Sequence, residues 1–268
     1  MPHDAVAFGF ERDARPGREK SQPEFPDSGD DWIYIICGDW NHVGAETVAP
    51  ILNDQAFQAQ FNNSGGVDGT IRLNKPIMGL GIAERCRKYW SRKDGKRIAK
   101  EDFYALADDV APFQRVINPD APVFDTEGGM PDKINRYLEE TGQPKAESRG
   151  EFARLCLDSL VLSHRRAVGQ LSDIVNRKHS VAYMLGWGSG SRLLAQMTAD
   201  AIGRPVKCGP MDAKALGNII MQAIALGDIG SLGEGRDLVA ASFPGEVFEP
   251  GPRTEQSEAA YAKYLKLP

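Results

Sequence analysis

The sequence predicts an α/β fold: one domain in which a mixed sheet is flanked by helices. Three observations carry this. A β-branched and aromatic run at residues 32–37 (WIYIIC) opens a strand meander. A long helical periodicity fills residues 151–175, with Leu157, Leu160, Val161, His164, Val168, Leu171 and Val175 at steps of three and four. From residue 181 the order is strand, helix, strand, helix. With 268 residues and 41% hydrophobic content, the chain can bury a sizeable core.

Residues 1–31 form an N-terminal segment rich in Pro, Gly and charge, in which only residues 5–10 (AVAFGF) are apolar enough to enter a core. After the first strand, Gly38-Asp39 marks a hairpin turn and a second strand is expected near residues 41–46. The cluster at residues 62–66 (NNSGG) reads as a turn before a third strand over residues 67–73. A helix follows from about residue 78, with Leu80, Ala83, Cys86 or Arg87, and Trp90 on one stripe and Asp94-Gly95 at its end. Shorter helices are expected over residues 100–109 and 131–141, the second opened by Pro131 and stopped by Gly142.

Residues 181–185 form the next strand, and Gly186, Gly188 and Gly190 turn it into a helix bearing Leu194, Met197 and Ala201. A short strand at residues 205–208 is broken by Gly209-Pro210. Asp212 then caps an apolar helix over residues 213–226, closed by Gly227. Gly217 inside that helix costs about 1 kcal/mol relative to Ala, which implies close packing there. Residues 234–242 make a last core helix, and residues 251–268 a polar C-terminal tail with a marginal helix.

The net charge of −5 gives no basic excess to hold a polyanion, so nucleic acid is not an expected partner. Cys37, Cys86, Cys156 and Cys208 lie far apart with no CxxC pair, which argues against a zinc knuckle or a disulfide framework and fits a reducing cytoplasm. No apolar run approaches the roughly 18 residues of a membrane span, so no membrane association is expected.

The chemistry-bearing stretch is the glycine turn at residues 186–191. A strand–glycine–helix turn gathers bare backbone N–H groups at the positive end of a helix, which suits a phosphate or another anionic ligand part. Glycines also serve simple tight connections. A dinucleotide-binding oxidoreductase is disfavoured, because the GxGxxG fingerprint would need glycine at Ser191 and no acidic residue ends the next strand near Lys207.

An ordered series of motifs goes further. His3-Asp4, GDW at residues 38–40, NNSGGVDGTIR at 62–72 and IMGL at 77–80 come first. GWGSGSRLLAQMTADAIGRP at 186–205, GPMDAKALGNIIMQAIALGDI at 209–229 and FEP at 248–250 follow. Together they resemble the C-terminal lobe of the FGGY carbohydrate kinases, with rhamnulokinases as the nearest members, over residues 32–250 and the first few residues. The resemblance implies a single lobe of the actin-like, ribonuclease-H-like ATPase fold. Such kinases have two lobes with ATP and sugar in the cleft between them, and move the γ-phosphoryl group to a sugar hydroxyl. The N-terminal lobe, with the first phosphate loop and much of the sugar pocket, has no counterpart here. The chain therefore reads as a lone lobe, a truncated product or one piece of a split enzyme, inactive in isolation.

By the same resemblance Asp4 is the catalytic base of a His-Asp-Thr motif, with Ala5 in place of the threonine, and His3 contacts the sugar. The alternative is a solvated terminal charge. Asp39 stands where the second phosphate loop has threonine in Gly-Thr-Trp; a carboxylate repels phosphate unless Mg²⁺ lies between, or it simply bonds N–H groups of the turn. Pro76 and Glu84 replace a sugar-contacting asparagine and an ATP-contacting glutamine, or else open a helix and sit exposed on it. Gly186-Trp187-Gly188 stands for the adenosine-loop glycine triplet and Ser191 for its asparagine. Trp187 stacks on adenine or fills its pocket; Ser191 bonds the ligand or caps a helix. Gln196, Gly209, Asn218 and Gln222 match the pattern but also suit helix packing, while Asp212 and Lys214 depart from it. His164 reads as a satisfied core histidine. The implied cofactors are ATP and Mg²⁺, and the implied partners a ketose such as rhamnulose and an N-terminal kinase lobe. Because the departures gather at ligand positions, a degenerate lobe acting as a binding or assembly module is the alternative.

Overall fold

In β1 (Trp32–Ile36) every residue is buried, Trp32, Tyr34 and Ile36 facing one side and Ile33 and Ile35 the other. That is the pattern of a strand at the centre of a sheet covered on both faces. The computed structural model describes residues 31–126 and 128–268. β2 (Trp40–Thr47) returns antiparallel with Gly44 opposite Tyr34. A Cβ on Gly44 would stand 2.5 Å from the Tyr34 hydroxyl, so glycine lets the Tyr34 side chain reach across the neighbouring strand.

α1 (Asp54–Gln58) is capped by Asn53, whose Oδ1 accepts from the Ala56 N–H at 2.8 Å. The next region corrects the sequence reading. Residues 62–66 are not a turn: β3 (Asn62–Gly65) is an edge strand, a single 3₁₀ turn covers Val67–Gly69, and the strand shifts to β4 (Ile71–Met78). Polar side chains rather than apolar alternation hold this edge. The Asn63 amide bonds the Ile51 N–H and C=O, both at 3.0 Å, and Asn74 Nδ2 donates to Ser64 Oγ at 3.2 Å. Pro76 is a strand residue and not a helix opener. β3 pairs only as far as Asn74, so Pro76 lies where that side of β4 has no strand partner among the described residues, a position that accepts a residue without an N–H.

α2 (Gly81–Lys93) buries Ile82, Ala83, Cys86 and Trp90 and ends at Asp94-Gly95, with Gly95 at φ +64°. α3 (Lys100–Ala105) stops short of the expected residue 109. α4 (Met130–Glu140) ends before Gly142, at φ +68°. α5 (Arg149–Ile174) begins with a Ser148/Glu151 capping box and extends roughly 39 Å. Residues 155–164 are buried all round. The polar ones among them have partners: Ile117 N–H donates to Ser159 Oγ at 3.0 Å, and Phe113 N–H donates to Asp158 Oδ2 at 2.6 Å.

β5 (Val181–Leu185), α6 (Arg192–Ile202) and β6 (Val206–Cys208) make a parallel crossover unit. α7 (Ala213–Leu226) ends at Gly227, but Asp212 makes no side-chain capping bond. α8 (Leu232–Ser242) packs on α7 where a Cβ at Gly235 would lie 2.5 Å from Ile220 Cγ2; Gly217 is buried as well. β7 (Val247–Phe248) and α9 (Glu255–Tyr264) complete the chain, and α9 docks on α5 through Ala260 and Tyr264. Among the described residues seven strands run β3-β4-β2-β1-β5-β6-β7, with β1, β5 and β6 mutually parallel and the other pairs antiparallel. α2, α5 and α6 cover one face and α7 the other. No helix among the described residues is long and apolar enough to cross a membrane.

Three buried titratable groups make stability pH-dependent. Burial holds the imidazoles of His164 at about 3 and His179 at about 4, against an ordinary 6.5. Their contribution is fully present above pH 6.5 and is lost as pH falls toward 3 or 4. Burial pushes the Asp158 carboxyl up to about 6, which works the other way: it favours the fold below about 4 and ceases to as pH rises through 6. Two histidines outweigh one aspartate. The thermal midpoint is therefore expected to fall between pH 7 and pH 4, and to fall less steeply in His164→Gln, as calorimetry across that range would measure.

Candidate functional site

The carboxyl ends of adjacent parallel strands are where α/β sheets build ligand sites. β1 runs into the turn Cys37-Gly38-Asp39, and its parallel neighbour β5 into the loop of residues 186–191, which contains one 3₁₀ turn (Trp187–Gly190). The two loops touch. Cys37 N–H donates to Leu185 O at 2.6 Å, and Gly188 N–H to Cys37 O at 3.2 Å. Gly186 has φ +80°, and a Cβ there would stand 2.5 Å from Cys37 O; on Gly188 it would stand 2.7 Å from Cys37 Cβ. The close approach of Cys37, by its backbone at Gly186 and by its Cβ at Gly188, thus explains two of the three glycines. At Gly190 the nearest atom would be Met211 Sδ at 2.7 Å, the end of a flexible, exposed side chain, so nothing rigid demands glycine there.

Part of the expected gathering of bare amides is taken up within the fold. Gly188 N–H is taken by Cys37 O, Ser189 N–H by Gly186 O at 2.9 Å, and Ser191 N–H by Gly188 O at 3.2 Å. In the first turn of α6, Leu194 N–H donates to Ser191 Oγ at 3.2 Å and Ala195 N–H to Ser191 O at 3.0 Å. Across the site, Gly79 and Gly81 N–H donate to Asp39 O, and Leu80 N–H to Gly38 O. These amides tie the loops to each other and to the start of α2.

Asp39 exposes its carboxylate at the rim, beside the half-exposed Trp40, and makes no side-chain hydrogen bond among the described residues. Ser191 caps α6 and keeps its O–H to donate. Trp187 is half-buried. Its Nε1 edge faces Gly38, where a Cβ would lie 3.6 Å away, and the Lys100 ammonium sits 3.5 Å above the ring centroid. Lys100 is also 4.0 Å from Glu84 Oε2. Glu84 is not the exposed helix residue of the alternative above: it is 3% exposed, bound to Arg87 Nη2 at 2.8 Å and to the Tyr104 hydroxyl at 3.2 Å. The hydrogen bonds that Arg87 donates to the Glu84 carboxylate hold its guanidinium above its ordinary pKa, and burial pushes the Tyr104 phenol up.

Gln196 bonds Asp200 and the Glu249 carbonyl, Asn218 bonds the Lys214 carbonyl, and Gln222 is exposed. Pro76 lies in β4. His3 and Asp4 lie outside the described residues. The sequence reading missed Lys100, Arg87 and Tyr104. Only the Glu84-x-x-Arg87 spacing, one helical turn, signalled any of them.

The donor set decides how ATP and Mg²⁺ would fit. Mg²⁺ takes one or two carboxylates and completes its shell with water and phosphate oxygens. Asp39 offers one exposed carboxylate beside both loops, which suits that mode; among the described residues no group of three His, Cys, Asp or Glu could hold a metal alone. At the other loop the fit is tighter, since the indole and the ammonium stand over the glycines.

Residues 33–226 match the family described as the FGGY family of carbohydrate kinases, C-terminal domain. The rhamnulokinase of Bacteroides thetaiotaomicron is 36% identical over 219 residues, covering 82% of this chain and 44% of that protein. That of Enterococcus faecalis is 34% identical over 243 residues, covering 90% and 48%. Among solved structures, the xylulose kinase from Rhodospirillum rubrum aligns with a TM-score of 0.67 at 20% identity over 98% of this chain and 48% of that one. Plasmodium falciparum glycerol kinase with ADP aligns with a TM-score of 0.61 at 11% identity, over 87% and 46%. At such identities the structures speak to the fold, which is the actin-like ATPase fold, and the chain spans about half the length of the relatives it matches. With the match continuous from β1 to the end of α7, the chain belongs to the FGGY family of carbohydrate kinases, corresponds to its C-terminal domain and resembles the rhamnulokinases.

Proposed function

We propose that the chain is the nucleotide-side lobe of a cytoplasmic, ATP-dependent sugar kinase. In company with an N-terminal lobe it transfers the γ-phosphoryl group of ATP to a hydroxyl of a ketose such as rhamnulose. The observation that carries this is the apposition of the Gly38-Asp39 turn and the Gly186–Ser191 loop at the ends of β1 and β5, in contact only because Gly186 and Gly188 lack a Cβ. Mg-ATP supplies the phosphoryl group when bound. Asp39 would face the metal, the Ser191 O–H would donate to the ribose or base, and the backbone of Gly186 and Gly188 would form the floor beneath them. Asp4 would accept the proton of the sugar hydroxyl. Phosphoryl transfer depends on positioning from both walls of a cleft, so the isolated chain is expected to be inactive. The test mixes the chain with an N-terminal lobe carrying an Asp-x-Gly-Thr phosphate loop, and measures ADP formation against a panel of ketoses. No turnover with any sugar sinks the proposal.

A second reading, a non-catalytic binding or assembly module, is favoured by one observation: the Lys100 ammonium already occupies the face of Trp187. It predicts no thermal shift on adding Mg-ATP.

A further inference from the structure

The Gly38 N–H is held from below by a chain of buried polar groups that no ligand role accounts for. Gly38 N–H donates to Asn41 Oδ1 at 2.9 Å, Asn41 Nδ2 lies 2.7 Å from His164 Nε2, and His164 Nδ1 lies 3.4 Å from Thr198 Oγ1. Asn41, His164 and Thr198 are all 0% exposed. They come from β2, α5 and α6, so the chain runs from the helix that follows the glycine loop to the turn that faces it.

Donor chemistry fixes its polarity. A backbone N–H only donates, so the group facing Gly38 is the Asn41 carbonyl oxygen and the group facing His164 is the Asn41 NH₂. That NH₂ only donates as well, so His164 Nε2 is the unprotonated acceptor. Burial keeps the ring neutral, which leaves its one proton on Nδ1, pointing to Thr198. Space fixes the amide too: a Cβ on Gly79 would lie 2.2 Å from Asn41 Oδ1, so the carboxamide is pressed against Gly79, whose own N–H holds Asp39 O.

We infer that His164 is a positioning residue: through Asn41 it sets the Gly38-Asp39 turn, and Thr198 selects the tautomer that lets it do so. This rests on the proposed reading of that turn as a ligand loop. The role differs from core filling, because an apolar side chain of similar size at 164 would fill the space yet leave the buried Asn41 NH₂ only the Cys37 sulfur, a weak acceptor at 3.7 Å.

The experiment uses the full chain. Long-range ¹H–¹⁵N spectra should show the His164 proton on Nδ1. In Thr198→Val, nearly the same shape without the hydroxyl, the proton should move at least partly to Nε2, and hydrogen exchange at the Gly38 amide should accelerate about tenfold. His164→Phe should accelerate it likewise, whereas His164→Gln, whose amide can again accept from Asn41, should restore protection. A proton found on Nε2 in the unmodified chain, or equal Gly38 exchange in the unmodified chain and in Thr198→Val, overturns the inference. Should His164→Phe fail to fold, the spectrum and Thr198→Val still decide. Titration with Mg-ATP separates the two readings: protection that follows the pattern above without any response to Mg-ATP upholds the relay and sinks the ligand loop.

Discussion

Trp187→Gly is expected to bind Mg-ATP about tenfold more tightly than the unmodified chain, a gain of about 1.4 kcal/mol in binding free energy. The reason lies in what surrounds the indole. One face carries the Lys100 ammonium at 3.5 Å, the Nε1 edge is turned to Gly38, and the ring packs on the core beneath the sheet's helices. A base arriving at the loop must displace Lys100, losing a cation–π contact of about 0.5 to 2 kcal/mol, or displace the indole itself. Glycine at 187 would restore a bare floor between Gly186 and Gly188. Isothermal titration with Mg-ATP reads the outcome. A fall in affinity would mean that the indole stacks on the base, and no change would mean that the base does not enter there.

How far the sequence foretold this site depends on the kind of interaction. Strands with β-branched alternation and helices with clear stripes were legible: β1, β5 and α7 fall within a residue of their expected bounds, because local pattern and burial agree in them. β3 was not. Its residues Asn62, Asn63, Ser64 and Gly65 carry every signal of a turn, and what makes them a strand is pairing with β4 and the Asn63 bonds to Ile51. The two loops that end β1 and β5 were legible as glycine turns, but their amide accounting was not, since partners such as Cys37 O and Asp39 O lie far away in sequence. Lys100 over Trp187 spans 87 residues in the sequence, and Asn41 to His164 spans 123. Contacts of that separation leave no periodic trace in a single sequence.

Glu84→Ala is expected to cost about 3 to 5 kcal/mol of stability, lowering the thermal midpoint by roughly 10 °C. Among the described residues Glu84 is the one carboxylate that binds Arg87, whose side chain is 11% exposed, and it also accepts from the Tyr104 hydroxyl. Its loss strands a guanidinium in the interface between α2 and α3, with the Ile98 carbonyl at 2.5 Å left to accept from it among the described residues. A buried ion pair gains little over an apolar pair of the same shape, so the cost resides in the orphaned charge rather than in the attraction itself. The double variant Glu84→Met with Arg87→Leu should therefore recover most of the loss, and chemical denaturation of the three proteins makes that comparison. If Glu84→Ala alone costs less than about 1 kcal/mol, the cluster is wetter than its burial indicates. The same carboxylate stands 4.0 Å from Lys100. Its removal should also loosen the ammonium over Trp187, so that Glu84→Ala shifts Mg-ATP affinity in the same direction as Trp187→Gly, by less, and through a residue that need not touch the nucleotide.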